Sequence, residues 1–208
     1  KITNDYELAS TAQLENRFTV LSSFAQDGIN GLFMESKQPG SENRLVVVFR
    51  GTDAENLDET VISDFEEGGP GAASYQKVRE QLLNQMDQYI DGKTVIDLTG
   101  HSFGGSVGQI FAVDLLEKIA RNDPGYEHIT SINLPIFQSA GVANEYVRRA
   151  DEALSTLSRK KPEFRFNFIP HCYDGDIVHA SSPYILGNYA GQNVNRYYVR
   201  KHMTLWVC

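Results

Sequence analysis

The chain has 208 residues, of which 41% are hydrophobic and 22% charged, with a net charge of −8. That is enough for one α/β domain with a sizeable core, and the acidic balance disfavours nucleic acid or an anionic membrane held by general electrostatics. No apolar run approaches the roughly 18 residues that span a bilayer, and two cysteines, Cys172 and Cys208, form no disulfide framework, their pairing being open. No signal peptide is legible, and Lys1 in place of methionine fits a processed product or an excised domain, which leaves the compartment open.

In chain order, Asp5 to Gln13 has helical spacing, with Asn4 or Asp5 as N-cap. Phe18 to Phe24 is an apolar patch of undecided type. Gly31 to Glu35 reads as a strand, Lys37 to Asn43 as a turn, and Arg44 to Arg50 as an apolar strand buried on both faces, the two strands forming a hairpin. Asp53 to Ala73 is acidic without one Lys or Arg, and Leu57, Val61, Ile62 and Phe65 share a helical face. That segment fits a short lid helix over a site as well as a surface helix packed on the core.

Ser74 to Ile90 is a longer helix whose stripe is Val78, Leu82, Met86, Tyr89 and Ile90. Thr94 to Thr99 is a β-branched strand, and Ser106 to Ile119 an apolar helix with a small-residue start. Ile129 to Phe137 is a strand interrupted by Pro135, and Val142 to Leu157 a helix ending in the solvated basic run Arg159-Lys160-Lys161. Phe164 to Ile169 alternates as a strand, and Arg196 to Arg200 is the last. Strands alternating with helices imply an α/β fold with a mainly parallel central sheet and helices on both faces. No repeat or second domain is legible, so residues 1–208 read as one domain.

The junction of the Thr94–Thr99 strand with the next helix carries the chemistry. Gly100-His101-Ser102-Phe103-Gly104 fits G-x-S-x-G, the nucleophile elbow of serine hydrolases, in the strand–turn–helix context that motif requires. A serine on so sharp a turn is lifted clear of the sheet, and the flanking glycines remove side chains that would collide there. The helix N-terminus then aims free N–H groups at the reacting centre. Gly51-Thr52 follows the Arg44–Arg50 strand at once, where a backbone N–H of Thr52, with that of Phe103, would hold an oxyanion.

A serine hydroxyl needs a histidine to take its proton and a carboxylate to orient that imidazole. In α/β hydrolases the chain order is serine, acid, histidine. Asp176 follows a strand in a glycine-containing loop and is the expected acid, with Asp174 as the alternative. Asp97 lies inside the elbow strand and points away from its tip. His202, just after the last strand, is the expected base. His171 precedes the acid, His179 is only three residues past Asp176, His101 faces away from the nucleophile, and His128 sits at a surface turn.

With these residues in place, the chain resembles the class 3 lipase family of α/β hydrolases, the fungal triacylglycerol lipase-like group. Val46 to Thr52 resembles its oxyanion strand and turn, Leu98 to Gly105 its elbow, and Val61-Ile62-Ser63-Asp64 the segment after the oxyanion turn. Ile136 to Asn144 is similar to its strand-and-turn after the elbow helix, and Gly175-Asp176-Ile177-Val178 to its acid motif, which favours Asp176 over Asp174. The chain departs from the family at Ala140, where proline is frequent; at Gly71 to Tyr75, in place of a His-x-Gly-Phe-like element; at His179, where proline is more usual; and around His202.

The resemblance implies the α/β-hydrolase fold and a lipase or phospholipase that works through an acyl-enzyme, with Ser102, Asp176 and His202 catalytic and Thr52 and Phe103 as oxyanion donors. It requires no metal and no organic cofactor. The expected partner is a lipid or other ester substrate, compatible with transient contact at a membrane surface, and no nucleic acid; the oligomeric state is open. An acyltransferase or thioesterase on the same triad, and a catalytically silent binding domain on the same fold, are the alternatives.

Overall fold

Four parallel steps across one sheet set the architecture. The computed structural model describes residues 16–40, 43–51, 70–173 and 197–199. Among them the order is β1 (Phe18–Gln26), β2 (Ile29–Ser36), β3 (Arg44–Phe49), α1 (Ala72–Tyr89), β4 (Val95–His101), α2 (Phe103–Arg121), β5 (Ser131–Phe137), α3 (Asn144–Lys160), β6 (Arg165–Tyr173) and β7 (Tyr197–Val199). The seven strands lie in the sheet in that same order. The β1–β2 and β2–β3 pairs are antiparallel, and β3 through β7 are all parallel. The mainly parallel sheet read from the sequence is therefore present, whereas the helices expected on both faces lie on one face among the described residues. Residues 1–15, with the helix expected over Asp5–Gln13, lie outside the described residues.

The Phe18–Phe24 patch is β1, and it turns back through Asp27 (φ 49°) and Gly28 (φ 79°). Two left-handed residues at a two-residue hairpin loop are the geometry that an Asp-Gly pair supplies. Pro135 does not interrupt β5. On the β6 side it pairs in register with Ile169. On the β4 side the register pairs run from Asp97–Asn133 to Gly100–Ile136 with nothing between. The missing proline N–H thus weakens one ladder over a short stretch while the strand continues.

Crossovers between neighbouring parallel strands are right-handed. Because β3, β4, β5 and β6 step across the sheet in one direction, α1, α2 and α3 fall on the same face. Phe49 of β3 meets Phe111 of α2 edge-on at 5.5 Å, Phe33 of β2 lies 5.7 Å from Tyr89 of α1, and Tyr75 of α1 lies 6.4 Å from Phe111. Leu45, Val47, Ile96, Leu98, Ile132 and Leu134 are sealed beneath. Helix α2 lies between the sheet, α1 and α3, and every residue from Phe103 to Leu116 is buried. A helix buried all round needs its small, apolar composition.

The opposite sheet face carries a polar ladder and none of the described helices. Arg44 donates to Asp97 at 2.6 Å, Asn133 donates to Asp97 at 2.6 Å, and Asn167 donates to Asn133 at 2.7 Å. Asp97 is committed to this ladder and stands away from the elbow tip.

One buried carboxylate ties the helices together. The Asp114 side chain on α2 is 1% exposed. It accepts Tyr75 Oη at 2.5 Å and Arg79 Nε at 2.8 Å from α1, and Arg149 Nη2 at 2.6 Å from α3. Arg149 also pairs with Glu117 and Arg79 with Glu80, so the group that removal of Asp114 would strand is the buried Tyr75 hydroxyl, at a cost of about 1–3 kcal/mol. At the end of α3, Lys160 donates to the Ala120 carbonyl at 3.2 Å and Lys161 to that of Glu127 at 2.8 Å. Both ammonium groups reach back to carbonyls at or beyond the C-terminal end of α2, where positive charge is favourable.

Burial, then the neighbouring Asp114 carboxylate, push the Tyr75 phenol well above its ordinary 10.0. Burial and a hydrogen bond to Asp87 push Tyr126 up in the same direction. A phenol with a raised folded-state pKa contributes its stability in full below the unfolded value, and that contribution is lost as pH climbs past it. Stability therefore falls above about pH 10, by about 1.4 kcal/mol per pH unit for each phenol. Urea midpoints taken from about pH 8 to about pH 11 check this: the midpoint drops above pH 10, and drops less in Tyr126→Phe. A midpoint level to pH 11 contradicts it.

Candidate active site

Strand β4 runs into Ser102, and α2 starts at the next residue. Ser102 has φ 53° and ψ −125°, a conformation that costs a non-glycine residue about 1–3 kcal/mol and persists only where the surroundings impose it. They do so with three hydrogen bonds. The Ser102 N–H donates to the Phe137 carbonyl at 2.9 Å, and the Ser102 carbonyl accepts from the N–H of Gly105 at 2.9 Å and of Ser106 at 3.4 Å. Phe103 is the first residue of α2, so its N–H is among those a helix leaves without an intrahelical acceptor, at the positive end of the dipole.

Close approach of backbones explains the glycines. A Cβ on Gly100 would lie 2.3 Å from the Gly104 carbonyl oxygen. A Cβ on Gly104 would lie 2.4 Å from the Phe49 carbonyl oxygen and 2.6 Å from that of Arg50. The start of α2 is thus pressed onto the end of β3, and the turn holding Ser102 has no space to open. At Gly51 a Cβ would come within 2.9 Å of the His101 carbonyl oxygen and 3.7 Å of Ser102 Cβ. The chain leaving β3 therefore runs alongside the serine.

On its other flank, the loop after β5 is pinned to α2. Ser106 Oγ and Gln109 Nε2 donate to the Ala140 carbonyl at 3.1 and 2.9 Å, and Gln109 also reaches Ser139 Oγ at 3.1 Å. At the rim, Phe137 is an exposed aromatic, and its ring stacks on that of His171 at 4.5 Å and 7°. Gln138 has φ 48°. Its side-chain oxygen accepts from His101 Nε2 at 2.8 Å, and its N–H donates to the His171 carbonyl at 2.8 Å.

Of the expected site residues, Ser102 and Phe103 are described and adjacent at the turn. Thr52, Asp176 and His202 lie outside the described residues, as do Asp174, His179, Cys208 and residues 53–69 of the acidic segment. The strands before them are described. β3, β4, β6 and β7 are parallel, so Phe49, His101, Tyr173 and Val199 end at one edge of the sheet. β6 runs to Tyr173 rather than stopping near Ile169, and it includes His171 and Cys172. His128 is an exposed turn residue.

Gln138 is the residue sequence reasoning passed over. A glutamine gives no local sign of a left-handed backbone, and only its place directly after the strand beside the elbow could have drawn attention to it. Among the described residues no cluster of three His, Cys, Asp or Glu could hold a metal ion, and no helix is long and apolar enough to cross a membrane.

Residues 67–134, the stretch from before α1 into β5 that includes Ser102, match the family described as lipase (class 3). No curated protein sequence matches the chain. Solved structures that it resembles include Rhizomucor miehei lipase in a propeptide complex, at 19% identity and TM-score 0.52, covering 79% of this chain and 50% of that one. A mutant form of MDLA from Penicillium cyclopium is 17% identical with TM-score 0.57, covering 92% and 67%. A structure described as a fungal lipase, its species unstated, is 17% identical with TM-score 0.59, covering 95% and 70%. The fold is thus the α/β-hydrolase type seen in these lipases, and the chain spans half the length of the Rhizomucor protein.

Two glycines on α2 separate elbow geometry from helix propensity. Gly104→Ala forces a Cβ onto the β3 carbonyls and is expected to cost about 1–3 kcal/mol while displacing Ser102. Gly108→Ala places its Cβ at ordinary contact, 3.5 Å from Phe49, and is expected to gain about 0.5–1 kcal/mol. Thermal unfolding of both checks the opposite signs; a tolerated Gly104→Ala would contradict the close approach.

Proposed function

We propose that this chain, class 3 lipase-like in its elbow and in its fold, is a serine hydrolase that cleaves carboxylic esters of lipids. The observation that carries the reading is Ser102 held at φ 53° between a parallel strand and a helix N-terminus, with the chain leaving β3 alongside it.

In the proposed reaction, Ser102 Oγ attacks the ester carbonyl carbon as His202 takes the hydroxyl proton. The carbonyl oxygen becomes an oxyanion, held by the N–H groups of Phe103 and Thr52. Collapse breaks the bond to the leaving alcohol, which receives the proton from His202, and leaves an acyl-enzyme on Ser102. Water, deprotonated by the same imidazole, then releases the carboxylic acid. Asp176 orients the imidazole and stabilises its charged form.

Topology supports these assignments. Thr52 is one residue beyond Gly51, which lies against the elbow. Asp176 is three residues beyond the end of β6, and His202 three beyond the end of β7. Both strands end at the edge that bears Ser102, so short loops suffice to bring the groups together. The acid-then-base order after the serine is that of α/β hydrolases.

The test is release of fatty acid from triglyceride, phospholipid and short nitrophenyl esters. Ser102→Ala is expected to fold normally and to lose activity by a factor on the order of 10⁶, the scale the nucleophile has in subtilisin. Full turnover by that variant would refute the reading. A histidine base must be neutral to accept the serine proton, so the rate should fall as pH drops through about 6.5, the value of an unperturbed imidazole. A rate level down to about pH 4 would argue against such a base.

A further inference from the structure

Two residues on neighbouring parallel strands leave the sheet with left-handed backbones, Ser102 at φ 53° and Gln138 at φ 48°. They stand side by side, since His101 and Phe137, the residues before them, are a register pair. The Ser102 N–H donates to the Phe137 carbonyl, and the Gln138 N–H to the His171 carbonyl one strand further on. Across the top of these backbone bonds the Gln138 side chain accepts from His101 Nε2 at 2.8 Å.

Glutamine is a poor choice for that backbone. Glycine would adopt it without strain, and asparagine more readily than glutamine. The hydrogen bond it gains lies at an exposed rim, where water competes for both partners and the net stabilisation is small. Stability alone therefore does not account for glutamine here. What the side chain does supply is reach: it spans from the β5 loop to the residue directly before the serine.

We propose that Gln138 is a positioning residue, a strained side-chain tie that holds His101, and through it Ser102, against the loop after β5. That loop lies on the side of the elbow that faces β6 and β7. The tie fixes where the serine hydroxyl stands relative to the loop after β5, and small misplacements of reacting groups are costly in rate. The inference rests on the serine-hydrolase reading for its effect on rate, and on the described geometry for its effect on the elbow.

Wild type, Gln138→Gly, Gln138→Glu, His101→Ala and the double variant His101→Ala/Gln138→Gly are compared on a soluble nitrophenyl ester, by thermal unfolding and by amide exchange at Ser102 and Gly105, whose N–H groups are hydrogen-bonded at the elbow. Gln138→Gly relieves the strain, so its Tm should equal or exceed that of wild type, while kcat falls about tenfold, KM changes little and exchange at the two amides quickens. Gln138→Glu keeps an acceptor oxygen at the same reach and should recover most of kcat. His101→Ala should show the same loss, and the double variant no further loss. A Tm that falls in step with kcat, losses that add, or unchanged kcat in Gln138→Gly would each overturn the proposal. Should wild type hydrolyse no ester, the functional reading fails on its own, and amide exchange still decides the tie: quickening in Gln138→Gly upholds it and unchanged exchange overturns it.

Discussion

The contact between the first turn of α2 and the last carbonyls of β3 is the constraint on which the rest depends. Where a Cβ on Gly104 would sit 2.4 Å from a backbone oxygen, the helix cannot begin further from the sheet edge without losing that packing. The chain between β4 and α2 then has a single residue in which to reverse direction, and Ser102 takes the strained backbone that results. Its cost is carried by the large buried surface of α2 and by the hydrogen bonds that Ser102 makes to β5 and to its own helix. The strained serine thus follows from the close packing on either side of it, and its hydroxyl stands at an edge where helix dipole and free N–H groups already converge.

Topology extends that local geometry to the whole edge. Four consecutive parallel steps in one direction, each with a right-handed return, place α1, α2 and α3 on a single face. The same steps set the C-terminal ends of β3, β4, β6 and β7 in one row. One face is devoted to packing and to the Asp114 tie, while the strand ends are left to loops. An enzyme that draws an oxyanion donor, a nucleophile, an acid and a base from four separate loops is suited by such a row. The polar ladder from Arg44 to Asn167 on the other face shows how the strands satisfy their side chains away from that helix-packed core.

Much of this was legible beforehand, for reasons that can be named. Glycine at 100 and 104 signals close approach whether or not a structure is known, because no other residue tolerates it. The alternation of apolar strands and amphipathic helices announced the parallel sheet. Pro135 misled because its missing N–H faces only one neighbour, and the ladder on the other side carries the strand through. The Asp27-Gly28 hairpin is the kind of turn that its dipeptide encodes. Gln138 was hidden because its backbone is imposed by partners on β4 and β6 that only the fold brings together. Asp176 and His202 are expectations from their order after Ser102, and both lie outside the described residues; what the structure describes is that β6 and β7, which precede them, end at the serine's edge.

The most direct measurement of the central claim is reaction of the intact protein with a fluorophosphonate, followed by peptide mass spectrometry. A hydroxyl activated as proposed should take up one phosphonyl group, on Ser102 and on no other serine, and Gly104→Ala should react far more slowly. A protein that stays unlabelled, or is labelled at another serine, would contradict it.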